Sequence, residues 1–119
     1  MEFTHEVTEN NVLVIAMSGD LIGENNGPEL VNLINDKIRD GHFFCAVDLS
    51  KVRYMNSSGI GILITLLTKF RNHEGEMVLI NPSETIKKLL LITKLNKIFT
   101  ITGSREEAVK NLDHGGKSN

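Results

Sequence analysis

The chain has 119 residues, 40% of them apolar and 24% charged, which is enough for one domain with its own core and too little for two. Its 13 basic and 15 acidic side chains leave a net charge of −2, so no basic surplus argues for nucleic acid as a direct partner. The one cysteine excludes an intrachain disulfide and suits a reducing compartment, and no apolar run approaches the roughly 18 residues of a membrane span.

Glu2, His5 and Glu6 stand where a secretory signal would carry a basic start and an apolar run, so the expected location is cytoplasmic. Phe3–Val7 predicts a short strand, Glu9-Asn10-Asn11 a turn, and the apolar run Val12–Met17 a strand buried on both faces. Together they predict a hairpin. The stretch from Ser18 to Gly27 is polar and glycine-rich and predicts a long loop. Its apolar residues Leu21 and Ile22 either tuck into the core or, with Asp20, form a contact rim at the sheet edge where loops after parallel strands gather. Pro28 suits the first position of a helix in which Leu30, Val31, Ile34 and Ile38 share one face and Gly41 marks the end. Phe43–Leu49 predicts the next buried strand. Cys45 within it, with no histidine at catalytic spacing, is expected to be a small core residue.

Asp48 ends that strand. It is expected to tie down the following polar loop through backbone N–H groups, or to help position a hydroxyl beyond it. A helix is predicted to begin at Asn56-Ser57-Ser58-Gly59, with Asn56 as N-cap and Met55 and Ile60 at the two positions of a hydrophobic staple. Ile60, Leu63, Ile64, Leu67 and Phe70 continue it as an apolar stripe. A cap followed by core accounts for the asparagine. It leaves two surplus hydroxyls, Ser57 and Ser58, at the positive end of a helix dipole. Gly59 and Gly61 each weaken the helix by roughly 1 kcal/mol relative to alanine, a cost that fits close approach of another surface.

His73-Glu74-Gly75 breaks this helix and Met77–Ile80 predicts a strand. Asn81-Pro82-Ser83 opens a helix with Ile86, Leu89, Leu90 and Thr93 on one side, closed by Lys94–Lys97. Ile98–Ile101 is the last short strand. Ser104 and Glu107 predict a capping box for a terminal helix through Leu112. The domain is expected over residues 1–112, with a flexible tail over 113–119. Strands alternating with helices, joined by right-handed crossovers, predict a single α/β domain with a mostly parallel sheet and an antiparallel N-terminal edge strand.

No catalytic residue or cofactor is expected. His5, His42, His73 and His114 lack ligand spacing, so no metal site is expected either. There is no phosphate-binding Gly-x-x-x-x-Gly-Lys-Ser/Thr loop and no Gly-x-Ser-x-Gly elbow. The helix start at Asn56 suits a phosphate, but nothing else completes a nucleotide pocket. The chain is expected to be a substrate of an enzyme rather than an enzyme.

The run DLSKVRYMNSSGIGIL, Asp48–Leu63, resembles the signature segment of the STAS domain, specifically that of the bacterial anti-sigma factor antagonists. Asp48, Ser50, Tyr54, Met55, Ser57, Ser58, Gly59, Ile60 and Gly61 match the family pattern, and Asn56 replaces its usual aspartate. Gly19-Asp20-Leu21 matches the family's Gly-x-Leu-Asp, with Ile22 in place of the acid. The resemblance implies strands wound in sequence order and helices mainly on one face. It implies that Ser57 is phosphorylated by an anti-sigma factor that is also a serine kinase. The unphosphorylated domain would dock on that kinase and free a sigma factor, and a serine phosphatase would reset it. Asn56, Ser58, Gly59, Ile60 and Gly61 would form the docking surface, with Asp20, Leu21 and Ile22 as its rim. No direct nucleic-acid contact and no membrane insertion are implied. Two other readings stay open: a non-switched STAS scaffold subunit of a transport or stressosome-like assembly, and a nucleotide- or phosphate-sensing module at the same helix start.

Overall fold

Backbone pairing sets five strands side by side in the order β1-β2-β3-β4-β5, the order in which the chain makes them. The computed structural model describes the backbone of residues 1–117, and the side chains of these except 23–26 and 113–117. β1 (Glu2–Val7) runs antiparallel to β2 (Val12–Leu21). β3 (Phe44–Met55), β4 (Glu76–Ile80) and β5 (Thr100–Thr102) continue the sheet in parallel. The period of two along each strand separates two cores. Leu13, Ile15, Cys45, Val47, Met77 and Leu79 face helices α1 (Gly23–Arg39), α2 (Ser57–Arg71) and α3 (Glu84–Ile92). The alternate residues Val12, Val14, Ala46, Val78 and Ile80 face Ala108 and Leu112 of α4 (Arg105–Lys117). A short 3₁₀ turn, Leu95–Lys97, joins α3 to β5. The fold is thus the expected α/β domain, with an antiparallel edge and most helices on one face.

The expected loop from Ser18 to Gly27 does not form. β2 continues to Leu21 and only Ile22 separates it from α1. The polar loop expected after Leu49 is also strand, because the two segments pair with each other from Ser18↔Lys51 to Leu21↔Met55. Each supplies the other's backbone hydrogen bonds, and this outweighs the low strand propensity of both. Pro28 accordingly falls inside α1 rather than at its first position, where its missing N–H removes one ladder bond. On α2 the buried face is Leu63, Leu66, Leu67 and Phe70, while Ile64, a member of the predicted stripe, is 37% exposed and lies off that face.

The capping box at α4 forms with a shift. The Glu107 N–H donates to Ser104 Oγ at 3.1 Å, but the Glu107 carboxylate accepts from the Gly103 N–H at 3.4 Å, one residue before the cap. The helix is described as far as Lys117. The expected tail at 113–119 concerns side chains and terminal residues that lie outside the described residues. Cys45 is fully buried, and desolvation pushes its thiol far above the ordinary range, which makes it an inert core side chain.

Arg71, the last residue of α2, makes two bonds to the Glu76 carboxylate, at 3.0 and 3.3 Å, and donates to the Ile98 carbonyl at 3.2 Å. It therefore ties the end of α2 to the start of β4 and to the approach to β5. Its partly exposed setting limits the gain. Arg71→Ala is expected to cost about 1 kcal/mol, seen as a lower urea midpoint at unchanged slope.

Candidate functional site

The site is built by irregularities in β3. Between Ala16↔Asp48 and Ser18↔Lys51, β3 advances one residue more than β2, and it does so again between Gly19↔Val52 and Asp20↔Tyr54. Both are bulges, which bend a strand and re-aim its side chains. Asp48 Oδ1 accepts from the Ser50 N–H at 2.9 Å across the first of them. Asp48 therefore braces a bulge within a strand, where the sequence pointed to a loop. At the second bulge two consecutive residues, Arg53 and Tyr54, turn outward between buried Val52 and Met55. Arg53 pairs with Asp20 at 3.4 Å, and Tyr54 stands 53% exposed. β4 stops pairing at Asp48↔Ile80, so the rest of β3 runs on beyond β4, paired with β2 alone, and delivers the chain to α2.

Asn56 caps α2 from an extended conformation (φ −98°, ψ −178°). Its Oδ1 accepts from the Gly59 N–H at 2.8 Å and from the Ser58 hydroxyl at 3.0 Å. Its own N–H donates to the Leu21 carbonyl at 3.4 Å, which seats the helix start on the end of β2. A methyl group built on Gly59 would overlap that same Leu21 carbonyl oxygen. The absence of a side chain at Gly59 is thus a packing requirement, and Gly59 is buried. Leu21 is 1% exposed. Both were candidate contact residues. Both belong instead to the joint between β2 and α2, and the accessible surface is correspondingly narrower.

Ser57, Ser58, Gly61 and Ile64 remain exposed, with Asn56, Ile60, Asp20 and Ile22 half-buried around them. Among the described residues the Ser57 hydroxyl has no hydrogen-bond partner, whereas the Ser58 hydroxyl is committed to Asn56. Ser57 occupies the first helical position, where the dipole favours negative charge. Gly61 contrasts with Gly59. Among the described residues no atom lies within 4 Å of where its Cβ would stand. The fold does not need a glycine there, although it weakens the helix. Tyr54, Arg53 and Ile64 join this surface, although the sequence marked none of them as a contact residue and assigned Ile64 to the apolar stripe. Tyr54 lay in the signature, but its outward direction depends on the bulge.

Ile22 stands at the N-cap position of α1 (φ −118°, ψ 111°) and supplies no side-chain cap. The acid of the Gly-x-Leu-Asp pattern would fall here. Ile22→Asp is expected to raise stability by about 1 kcal/mol, read as a melting midpoint a few degrees higher.

Among the described residues no three His, Cys, Asp or Glu side chains converge as a metal site would require, and no helix is long and apolar enough to cross a membrane. Residues 4–108 match the family model of the STAS domain. The anti-sigma-B factor antagonist of Staphylococcus aureus is 28% identical over 79 residues, covering 66% of this chain and 73% of that protein. The structure of the anti-sigma factor antagonist SpoIIAA in its unphosphorylated form superposes with a TM-score of 0.80 at 23% identity, covering 99% of this chain and 100% of that one. The Bacillus cell fate determinant SpoIIAA in its phosphorylated form gives 0.74 at 22% identity, with 92% and 98% covered.

Proposed function

This chain belongs to the STAS domain family, and on that premise we propose that it is an anti-sigma factor antagonist switched by phosphorylation of Ser57. In this reading the unphosphorylated chain docks on an anti-sigma factor with serine kinase activity in the cytoplasm and thereby frees a sigma factor. Phosphate on Ser57 ends the docking, and a serine phosphatase restores it. The chain is the substrate of both enzymes and carries no catalytic group of its own.

One observation carries the proposal: an exposed Ser57 hydroxyl without a partner among the described residues, at the first position of a helix whose next exposed turn is the bare Gly61. The hydroxyl is open to a kinase, and the helix dipole welcomes the phosphate. Gly61 gives the partner a close approach for which the chain itself has no use. Asn56, Ser58, Ile60, Ile64 and Tyr54 border the docking surface, with Asp20 and Ile22 as the rim. The hydrogen bond from Ser58 to Asn56 favours Ser57 over Ser58 as acceptor, since phosphorylating Ser58 would disrupt the cap. The names of the S. aureus relative and of the two SpoIIAA forms support the same role.

The test is a pull-down from the source cell's lysate, followed by phosphosite mapping after incubation of the captured partner with ATP. Capture of an ATP-binding serine kinase and phosphate on Ser57 are the expected results. A partner set unchanged by Ser57→Asp would overturn the proposal and favour a scaffold that binds through another face.

A further inference from the structure

Two surfaces at opposite edges of the sheet complement each other. On the β5 side, Leu91 and Ile92 in the last turn of α3 are 63% and 77% exposed, and Ile98 just beyond the 3₁₀ turn is 43% exposed. From Thr85 to Ser104 the chain has no acidic residue and four lysines. Lys87 pairs with Glu84, while Lys88, Lys94 and Lys97 are exposed and form no ion pair among the described residues. The result is an aliphatic knob with a basic rim. On the other edge a groove of about 760 Å³ runs between β1 and α1. Met1, Phe3 and Leu33 give it an apolar floor, and Glu2, Glu29 and Asp36 line it with acid. Asp36 is partly neutralised by Arg39 at 3.0 Å; Glu2 and Glu29 have no cationic partner among the described residues.

We infer that a second copy of this chain seats its α3 knob in this groove, head to tail. Apolar tip meets apolar floor, and lysine rim meets carboxylate rim. An anionic lipid surface would match the lysines but leave the acidic groove without a role, whereas a second copy accounts for both. Because knob and groove are different surfaces, the contact is heterologous, and a pair of copies still offers one free knob and one free groove. The patch is small, so the association is weak and depends on concentration.

Sedimentation velocity from micromolar to millimolar protein tests this. The wild-type weight-average mass is expected to rise with concentration, and to rise less in high salt. Ile92→Glu and Glu29→Lys change exposed side chains, and melting curves will confirm that both variants fold. Each is expected to self-associate about tenfold more weakly or not at all. Mixed together they should form a dimer and nothing larger, because one keeps an intact groove and the other an intact knob. A wild type that stays monomeric overturns the inference, whether or not it pellets with phosphatidylglycerol vesicles. So does a mixture that stays monomeric. Loss of association in Ile92→Glu but not in Glu29→Lys would also overturn it, since knob would then meet knob.

Discussion

Ser57→Asp is expected to fold normally and to bind the proposed partner kinase at least about 100-fold more weakly, a loss of about 2.7 kcal/mol. The two halves of this result have separate causes. Within the chain, the new carboxylate stands at the first position of α2. The helix dipole there stabilises a negative charge by about 0.3–1 kcal/mol, so the melting midpoint should hold or rise slightly. Across the interface, the charge has to be desolvated beside Ile60, Gly61 and Ile64, and the guanidinium on this surface, Arg53, is already paired with Asp20. Burying an uncompensated carboxylate costs several kcal/mol, more than the predicted loss requires. Circular dichroism melting and titration calorimetry with the kinase separate the two effects. Wild-type affinity in a folded Ser57→Asp would mean that Ser57 does not control docking. A phosphate carries about −1.5 to −2 charges, so the modified serine should exclude the partner more completely than the aspartate does.

The second large effect concerns stability. Gly59→Ala should destabilise the domain by about 3 kcal/mol, which for a chain of this size lowers the melting midpoint by about 10 °C. The added methyl meets the Leu21 carbonyl oxygen, which is backbone held in the β2–β3 pairing and cannot swing aside as a side chain would. Relief requires lifting α2 off the end of β2, which breaks the bond from the Asn56 N–H to the same carbonyl. Gly61→Ala, two residues on, should do the opposite and stabilise by about 1 kcal/mol, because its Cβ meets no atom of the described residues. A neutral Gly59→Ala would mean that the helix start is not seated on Leu21. If Gly61→Ala gains stability but weakens the kinase complex, the glycine serves the partner rather than the fold.

These two glycines show where sequence reading reaches its limit. Both stood out as costly in a helix, and nothing local distinguishes them. The difference comes from Leu21, far away in the chain and brought beneath the first turn only by β2. The cap at Asn56 was legible because capping is decided within one helical turn. The mostly parallel sheet was legible because strands alternate with helices, whereas the order of its strands was implied by the resemblance to the STAS domain. The second half of β3 was not legible. Ser50, Lys51 and Arg53 look like loop residues, and they become strand only because Ser18–Leu21 lies alongside with hydrogen bonds to offer. The bulges that expose Tyr54 follow from that pairing, and the alternation of faces along a strand fails at each of them. Ile64 was misassigned for a related reason. A five-residue apolar stripe is wider than the face α2 actually buries, and Leu66 fills the core position instead.

Strand order that equals chain order also bears on how the domain is made. During synthesis each new strand meets an edge already in place and never has to insert between two paired neighbours. Every closure spans one hairpin or one strand–helix–strand unit, which keeps the entropy of loop closure smaller than a shuffled strand order would. The same order leaves a long open parallel edge on the growing sheet until the three-residue β5 docks and takes the edge position. That edge, first on β3 and then on β4, is where a nascent chain is most open to pairing with a neighbour.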